Sequence, residues 1–325
     1  TYGGALRLQN ALPSMTALAL PSFLPSCAVS NGSHAIVYSQ QQASFFSLRL
    51  SHPEQGFDLL SGSGVWGYQD GPMDGVSPVA QPRFNLGGGT AAMSRDRHYM
   101  FVAEEGTHTI RKIRISDGFA STLAGRHYTA SGTEEVDAAA GVFAGPWGVA
   151  ASSDDTTVYV SDGVSRFPDS SGYPGIVVAV NVVTGSISSV FKGGPLIAPR
   201  SLLLNAAMKI LYVVDLNCVR AISLSDSNVS TVAGQPMLSG YEDGPASSAM
   251  LGEIFALELS VDGRTLFLAE DTRIRAVALS SGHVTTLVSG AGSGDEDGVI
   301  HDALLRGIRG LALVPPEMRR MLVTS

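Results

Sequence analysis

The residues of this sequence best suited to chemistry are its carboxylates, and they recur at fixed places. Asp-Gly pairs stand at 70–71, 243–244 and 297–298, the last inside the acidic run Asp295-Glu296-Asp297. Acidic residues also close several apolar runs, at Glu104-Glu105, Asp162, Asp215 and Glu270-Asp271. Hard oxygen ligands of this kind suit calcium, but the run at 295–298 lacks the alternating carboxylates of an EF-hand loop. The reading adopted is therefore conformational: each Asp accepts local backbone hydrogen bonds and each Gly takes a backbone angle closed to other residues. A metal hydrolase would need about three ligands converging at one depth. The seven histidines do not offer that, because His34 and His98 fall in equivalent turns, His52 and His283 in others, and His108, His127 and His301 in loops of different types. No Ser-His-Asp set is legible, and Cys27 and Cys218 read as small buried hydrophobes. The expectation is no catalytic residue, no metal and no cofactor, calcium being the one ion the carboxylates would suit.

Groups at such regular places need a repeating scaffold, and the sequence repeats itself. The segments 239–260, 131–152 and 293–314 align without a gap. A second phrase recurs as STLAG (121–125), STVAG (230–234) and TTLVSG (285–290). Between the two lie apolar alternations, HYMFVAEE (98–105), TVYVSD (157–162), ILYVVD (210–215) and TLFLAE (265–270). Their period of two and their β-branched and aromatic content predict strands. Ser-Asp-Gly (116–118), Thr-Gly (184–185) and Ser-Ser-Gly (280–282) supply hairpin turns. Each copy is then a four-stranded antiparallel meander; in the fifth the strands fall near 255–259, 264–269, 272–279 and 283–288. The predicted fold is all-β, a six-bladed β-propeller in one domain over 1–325, with blades at about 18–62, 63–126, 127–194, 195–235, 236–290 and 291–325 plus 1–17. The C-terminal copy stops after two strands, so N-terminal strands are expected to complete it and close the ring, which removes exposed edges.

An Asp-Gly loop, a strand ending in acidic residues, an Ile-Arg strand and a closing Thr-Leu-Ala-Gly together resemble the NHL repeat. The fullest copy spans 67–125; copies two and five match well, three and six fairly, and one and four lack the Asp-Gly loop. The resemblance implies a ring used as a binding platform. It also admits the alternative of a metal-dependent lyase or lactonase-like hydrolase with its site at the central channel, since some propellers similar to these are enzymes. Fold by itself does not select between them.

Charge narrows the partner. A formal net charge of −8 excludes a duplex-binding stripe, so nucleic acid is set aside. The apolar stretch ALALPSFLP (17–25) is short and broken by two prolines, so no membrane insertion by this domain is expected. Loops between blades and between second and third strands share one face, and most of the carboxylates fall there, a surface that steers basic ligands. A protein or peptide partner, basic in character, is expected on this face. Its predicted contacts are Trp66 and Tyr68 in the first interblade loop, Glu104, Glu105, Asp162, Glu270 and Asp271 at strand ends, and Arg166, Phe167, Asp169 and Tyr173 in the insert 162–175. Asn31 and Asn228 begin glycosylation tripeptides at turns on the opposite face, which favours an extracellular or surface ectodomain. Without an initiator Met, the chain reads as part of something larger.

Overall fold

The structure is a computed structural model that describes residues 8–9, 25–30, 34–49, 51, 55–73, 81–126, 141, 143–163, 175–190, 196–289, 298–299, 308, 310–314 and 320–324. After β1 (Leu8–Gln9), a first sheet runs in order through β2 (Pro25–Ser30), β3 (His34–Ser39), β4 (Ser44–Arg49) and β5 (Phe57–Ser61). The second contains β6 (Ala91–Met93), β7 (Tyr99–Glu104), β8 (Thr109–Arg114) and β9 (Ala120–Gly125). The third contains β10 (Pro146–Ala151), β11 (Thr157–Asp162), β12 (Ile176–Asn181) and β13 (Ile187–Ser189). The fourth contains β14 (Pro199–Asn205), β15 (Ile210–Asp215), β16 (Cys218–Ser223) and β17 (Val229–Gly234). In the fifth, β18 (Gly244–Pro245) adds to the outer edge of a meander of β19 (Ile254–Leu259), β20 (Thr265–Glu270), β21 (Arg273–Ala278) and β22 (His283–Ser289). All neighbours within these sheets are antiparallel, and the arrangement is an all-β propeller.

The expectation of six four-stranded blades is corrected here: five such sheets are present among the described residues. The sixth copy contributes a hairpin of β24 (Gly310–Val314) and β25 (Arg320–Thr324), with β24 lying beside β2 on one side and β19 on the other. Its expected outer strands come from 1–17, of which only β1 is described, and β1 pairs in parallel with β23 (Gly298–Val299) rather than with β25. The physical reason is that completing this copy requires pairing distant parts of the chain, and among the described residues only the β24–β25 hairpin is local to it.

Alternation along each strand makes both faces of every sheet apolar, and that is what stacks the blades. On β7, Met100 and Val102 join Ile36, Tyr38 and Phe45 of the first sheet, while Phe101 and Ala103 join Val149, Val158 and Val160 of the third. On β15, Leu211 and Val213 face the third sheet, and Tyr212 and Val214 face the fifth. Phe45 meets Phe84 edge-on at 5.1 Å between centroids. Hairpin glycines let the outer strands close in: Gly118 (φ 68°) and Gly185 (φ 69°) have left-handed backbones, and a Cβ there would lie 1.9 Å from the Leu60 carbonyl and 2.4 Å from that of Leu123. Each turn thus abuts the preceding blade.

Candidate functional site

In each sheet the second strand finishes beside the start of the first, and this end defines the upper face. The carboxylate that closes the second strand is turned inward there. Glu104 accepts from the Asn85 amide at 3.2 Å, Asp162 from Ala144 and Gly145 at 3.0 and 2.7 Å, Asp215 from Ile197 and Ala198 at 2.8 and 2.9 Å, and Glu270 from Gly252 at 3.1 Å. All four are buried. They anchor the loop entering the inner strand, a backbone segment that would otherwise leave amides unpaired. Burial pushes the carboxyls of Glu104, Asp162 and Glu270 above the usual range, against the pull of Arg111, of the two backbone amides and of Arg275 respectively.

The Ile-Arg strands carry a second part of the same device. A register shift beside Arg111, Arg220 and Arg275 turns these side chains toward the loops. Arg111 is fully buried; it donates to Glu104 at 3.1 Å, to the Arg83 carbonyl at 3.1 Å and to the Gln69 carbonyl at 2.7 Å, and pairs with Asp70 at 2.8 Å. Asp70 also accepts from the amide and hydroxyl of Thr122, both at 3.0 Å. Blade five repeats the pattern: Arg275 lies 3.4 Å from Glu270 and 2.7 Å from Asp243, and Asp243 accepts from the Thr286 amide and hydroxyl at 2.9 Å. Burial acts upward on Asp243, but Thr286 and Arg275 outweigh it and hold that carboxyl below its usual range. Blade four lacks the Asp-Gly loop, and there Arg220 turns to Thr231 at 2.5 Å and to Asp215 at 3.5 Å. The Asp-Gly pairs of blades two and five therefore tie a blade's leading loop to its last strand.

At the centre of the upper face the inner strands of three blades meet. The Arg200 guanidinium, on β14, lies over the Trp147 indole of β10 at 5.1 Å and donates through Nη1 to Glu253, just ahead of β19, at 2.5 Å. Gly88 of blade two backs the indole: a Cβ there would fall 2.0 Å from its Cη2. The Ser161 hydroxyl donates to the Arg200 carbonyl and accepts from the Gly148 amide, locking β10 to β14.

Of the predicted contacts, Glu104, Asp162 and Glu270 are buried members of the scaffold just described. Trp66 and Asp271 are exposed. Glu105 is half-buried and accepts from the Gly88 amide at 3.0 Å. Tyr68 is half-buried, with its hydroxyl 2.8 Å from Thr122 and Arg111 above its ring. Arg166, Phe167, Asp169 and Tyr173 lie outside the described residues, as do Asn31, His127 and His301. Asn228 is exposed in the turn between β16 and β17. Among the described residues no group of three or more His, Cys, Asp or Glu is disposed to hold a metal ion, and no helix is long and apolar enough to cross a membrane. Sequence reading missed the Trp147–Arg200–Glu253 cluster and an exposed run on the blade-four to blade-five loop, Met237, Leu238 and Tyr241, where Arg273 stacks on Tyr241 at 3.9 Å.

No family model and no curated protein matches the chain. Solved structures do. A protein of unknown function from Bacteroides thetaiotaomicron is 14% identical with a TM-score of 0.64, over 95% of this chain and 70% of that one. An auxiliary nutrient binding protein from the same organism is 11% identical with a TM-score of 0.64, over 99% and 74%. A gluconolactonase from Xanthomonas campestris is 13% identical with a TM-score of 0.62, over 99% and 95%. At these identities the likeness establishes a β-propeller fold and nothing finer.

Proposed function

We propose that this chain is a non-enzymatic binding propeller that takes a protein or peptide partner on its upper face. The observation that carries this reading is the engagement of the strand-end carboxylates. The acids that would have to ligate a metal or move a proton are buried against backbone amides and arginines. What the same face leaves exposed are large apolar and aromatic side chains in the interblade loops, among them Trp66 at 44% and Tyr241 at 51%. The contacts retained in this reading are Trp66, Tyr68, Glu105 and Asp271, with Arg166, Phe167, Asp169 and Tyr173 from the insert. Remaining surface carboxylates such as Glu242 and Asp271 favour a basic partner.

The finer assignment goes with it. The repeat is of the NHL type, and the ring closes through the sixth copy; the pairing of β1 with β23, and the seat of β24 between β2 and β19, support that closure. Glycans on Asn31 and Asn228 of a surface ectodomain would leave the upper face clear.

The test is selection of a displayed peptide library on the whole chain, followed by retesting on Trp66→Ala and on Phe167→Ala/Tyr173→Ala. Hot-spot anchors predict at least about tenfold weaker binding. Binders indifferent to both variants would sink the assignment of the face. The second reading, a metal-dependent lactonase-like hydrolase or lyase, draws on the likeness to the gluconolactonase. Stoichiometric zinc or calcium in the purified protein, with turnover of a lactone, would replace the first reading with the second.

A further inference from the structure

We propose that Arg200 forms a carboxylate-binding site at the centre of the upper face. Its side chain is only 9% exposed, yet a single hydrogen bond holds it, from Nη1 to Glu253. Among the described residues the Nε–H and both Nη2 hydrogens have no protein acceptor, and neither nitrogen is sealed from solvent. The other buried arginines differ. Arg111 and Arg275 use both terminal nitrogens on carbonyls and carboxylates, and their Nε atoms are closed off. Arg200 thus keeps one complete two-donor edge without an acceptor among the described residues, in a nearly buried setting where a charge-assisted pair is stronger than at a free surface.

The surroundings fix that edge in place. Trp147 covers one face of the guanidinium, Gly88 leaves no room behind the indole, and the Arg200 backbone is tied to Ser161. A planar two-oxygen anion matches the Nε/Nη2 fork. Glu253, 46% exposed on the neighbouring nitrogen, disfavours a second negative charge beside it, so the site selects a monoanionic carboxylate over a phosphate dianion. The carboxylate belongs either to a free small acid or to the C-terminus of a peptide. The inference rests on the upper face being the ligand face.

The experiment follows the two indole N–H signals by NMR, with Trp66→Phe identifying that of Trp147. Sodium acetate is titrated at constant ionic strength against chloride. A saturable shift of the Trp147 signal is expected, absent in Arg200→Gln, and up to about fivefold tighter in Glu253→Gln, which removes the competing carboxylate. A linear shift, a shift equal to that with chloride, or one unchanged in Arg200→Gln would overturn the proposal. If Arg200→Gln does not fold, Arg200→Lys keeps the charge without the fork; undiminished binding there overturns it too. Phosphate must bind no tighter than acetate. A short peptide with a free C-terminus that binds tighter than its amidated form and than acetate assigns the site to peptide ends; equality with acetate assigns it to small acids. The titration needs no partner protein, so its failure leaves the loop-anchored reading standing, and failure of the peptide selection leaves the fork standing.

Discussion

Replacing Arg111 with Met should expose how strongly the upper face depends on its internal ion pairs. Arg111 and Glu104 are both 0% exposed, so Arg111→Met leaves a carboxylate buried with its charge uncompensated. It also takes a donor from the carbonyls of Arg83 and Gln69, the latter keeping the Arg83 amide, whereas Asp70, 42% exposed, keeps Thr122. Loss of one partner of a buried pair costs about 3–5 kcal/mol. Adding Glu104→Gln removes the stranded charge while retaining an acceptor for the Asn85 amide, so the double variant should recover about 2 kcal/mol. Urea unfolding followed by circular dichroism reads this as a lower midpoint for the single variant and a partial return for the double, at unchanged slope. Blade five provides an internal replicate in Arg275→Met with Glu270→Gln. If the two substitutions simply add, the carboxylate does not depend on the arginine and the reasoning fails.

Other consequences are as direct. Gly88→Ala drives a methyl into the Trp147 ring and should cost about 1–3 kcal/mol with a changed near-ultraviolet spectrum; a silent substitution would mean the indole is not wedged. Glu104 is held above its ordinary range by burial, so its favourable contribution is present below the unfolded value and fades as pH rises through the folded one. Glu104→Gln cannot ionise, and its melting temperature minus that of the parent should therefore rise between about pH 4 and pH 8; a falling difference would show Arg111 winning over burial. The Cys218 thiol, pushed up to about 12 by burial and donating to the Asp215 carbonyl at 3.1 Å, should resist thiol reagents in a Cys27→Ser background until the protein unfolds. Labelling of the folded form would contradict its placement.

The meander of the fifth copy was legible almost strand for strand, since TLFLAE and RIRAVA alternate cleanly and Ser-Ser-Gly marks the turn after them. Local pattern is what sequence reading sees, and hairpins are local. The sixth blade failed for the complementary reason: its completion requires pairing the two ends of the chain, and no periodicity records such a partner. The Asp-Gly pairs pointed to a conformational role for Asp70 and Asp243, but in place of the local backbone bonds expected, these acids reach across the blade to Thr122 and Thr286 and pair with Arg111 and Arg275. The recurring order of Asp-Gly, Ile-Arg and Thr held that signal, and blade four, with Arg220 and Thr231 but no Asp-Gly, shows what the Asp adds. Charge sorting by face overstated the free acidity, because position at a strand end does not reveal that Asp162 and Asp215 point inward onto amides. The association of Trp147, Arg200 and Glu253 was not legible because neighbouring copies carry unlike residues where their inner strands begin, so self-similarity does not mark them.

Whether the upper-face carboxylates are structural rather than metal-binding is tested most directly by calorimetric titration of calcium, and separately of zinc, into the whole chain. The expected result is no saturable heat from either ion, because these acids already satisfy amides and arginines. One-to-one binding of either ion that disappears in Glu270→Gln or Asp162→Asn would contradict it.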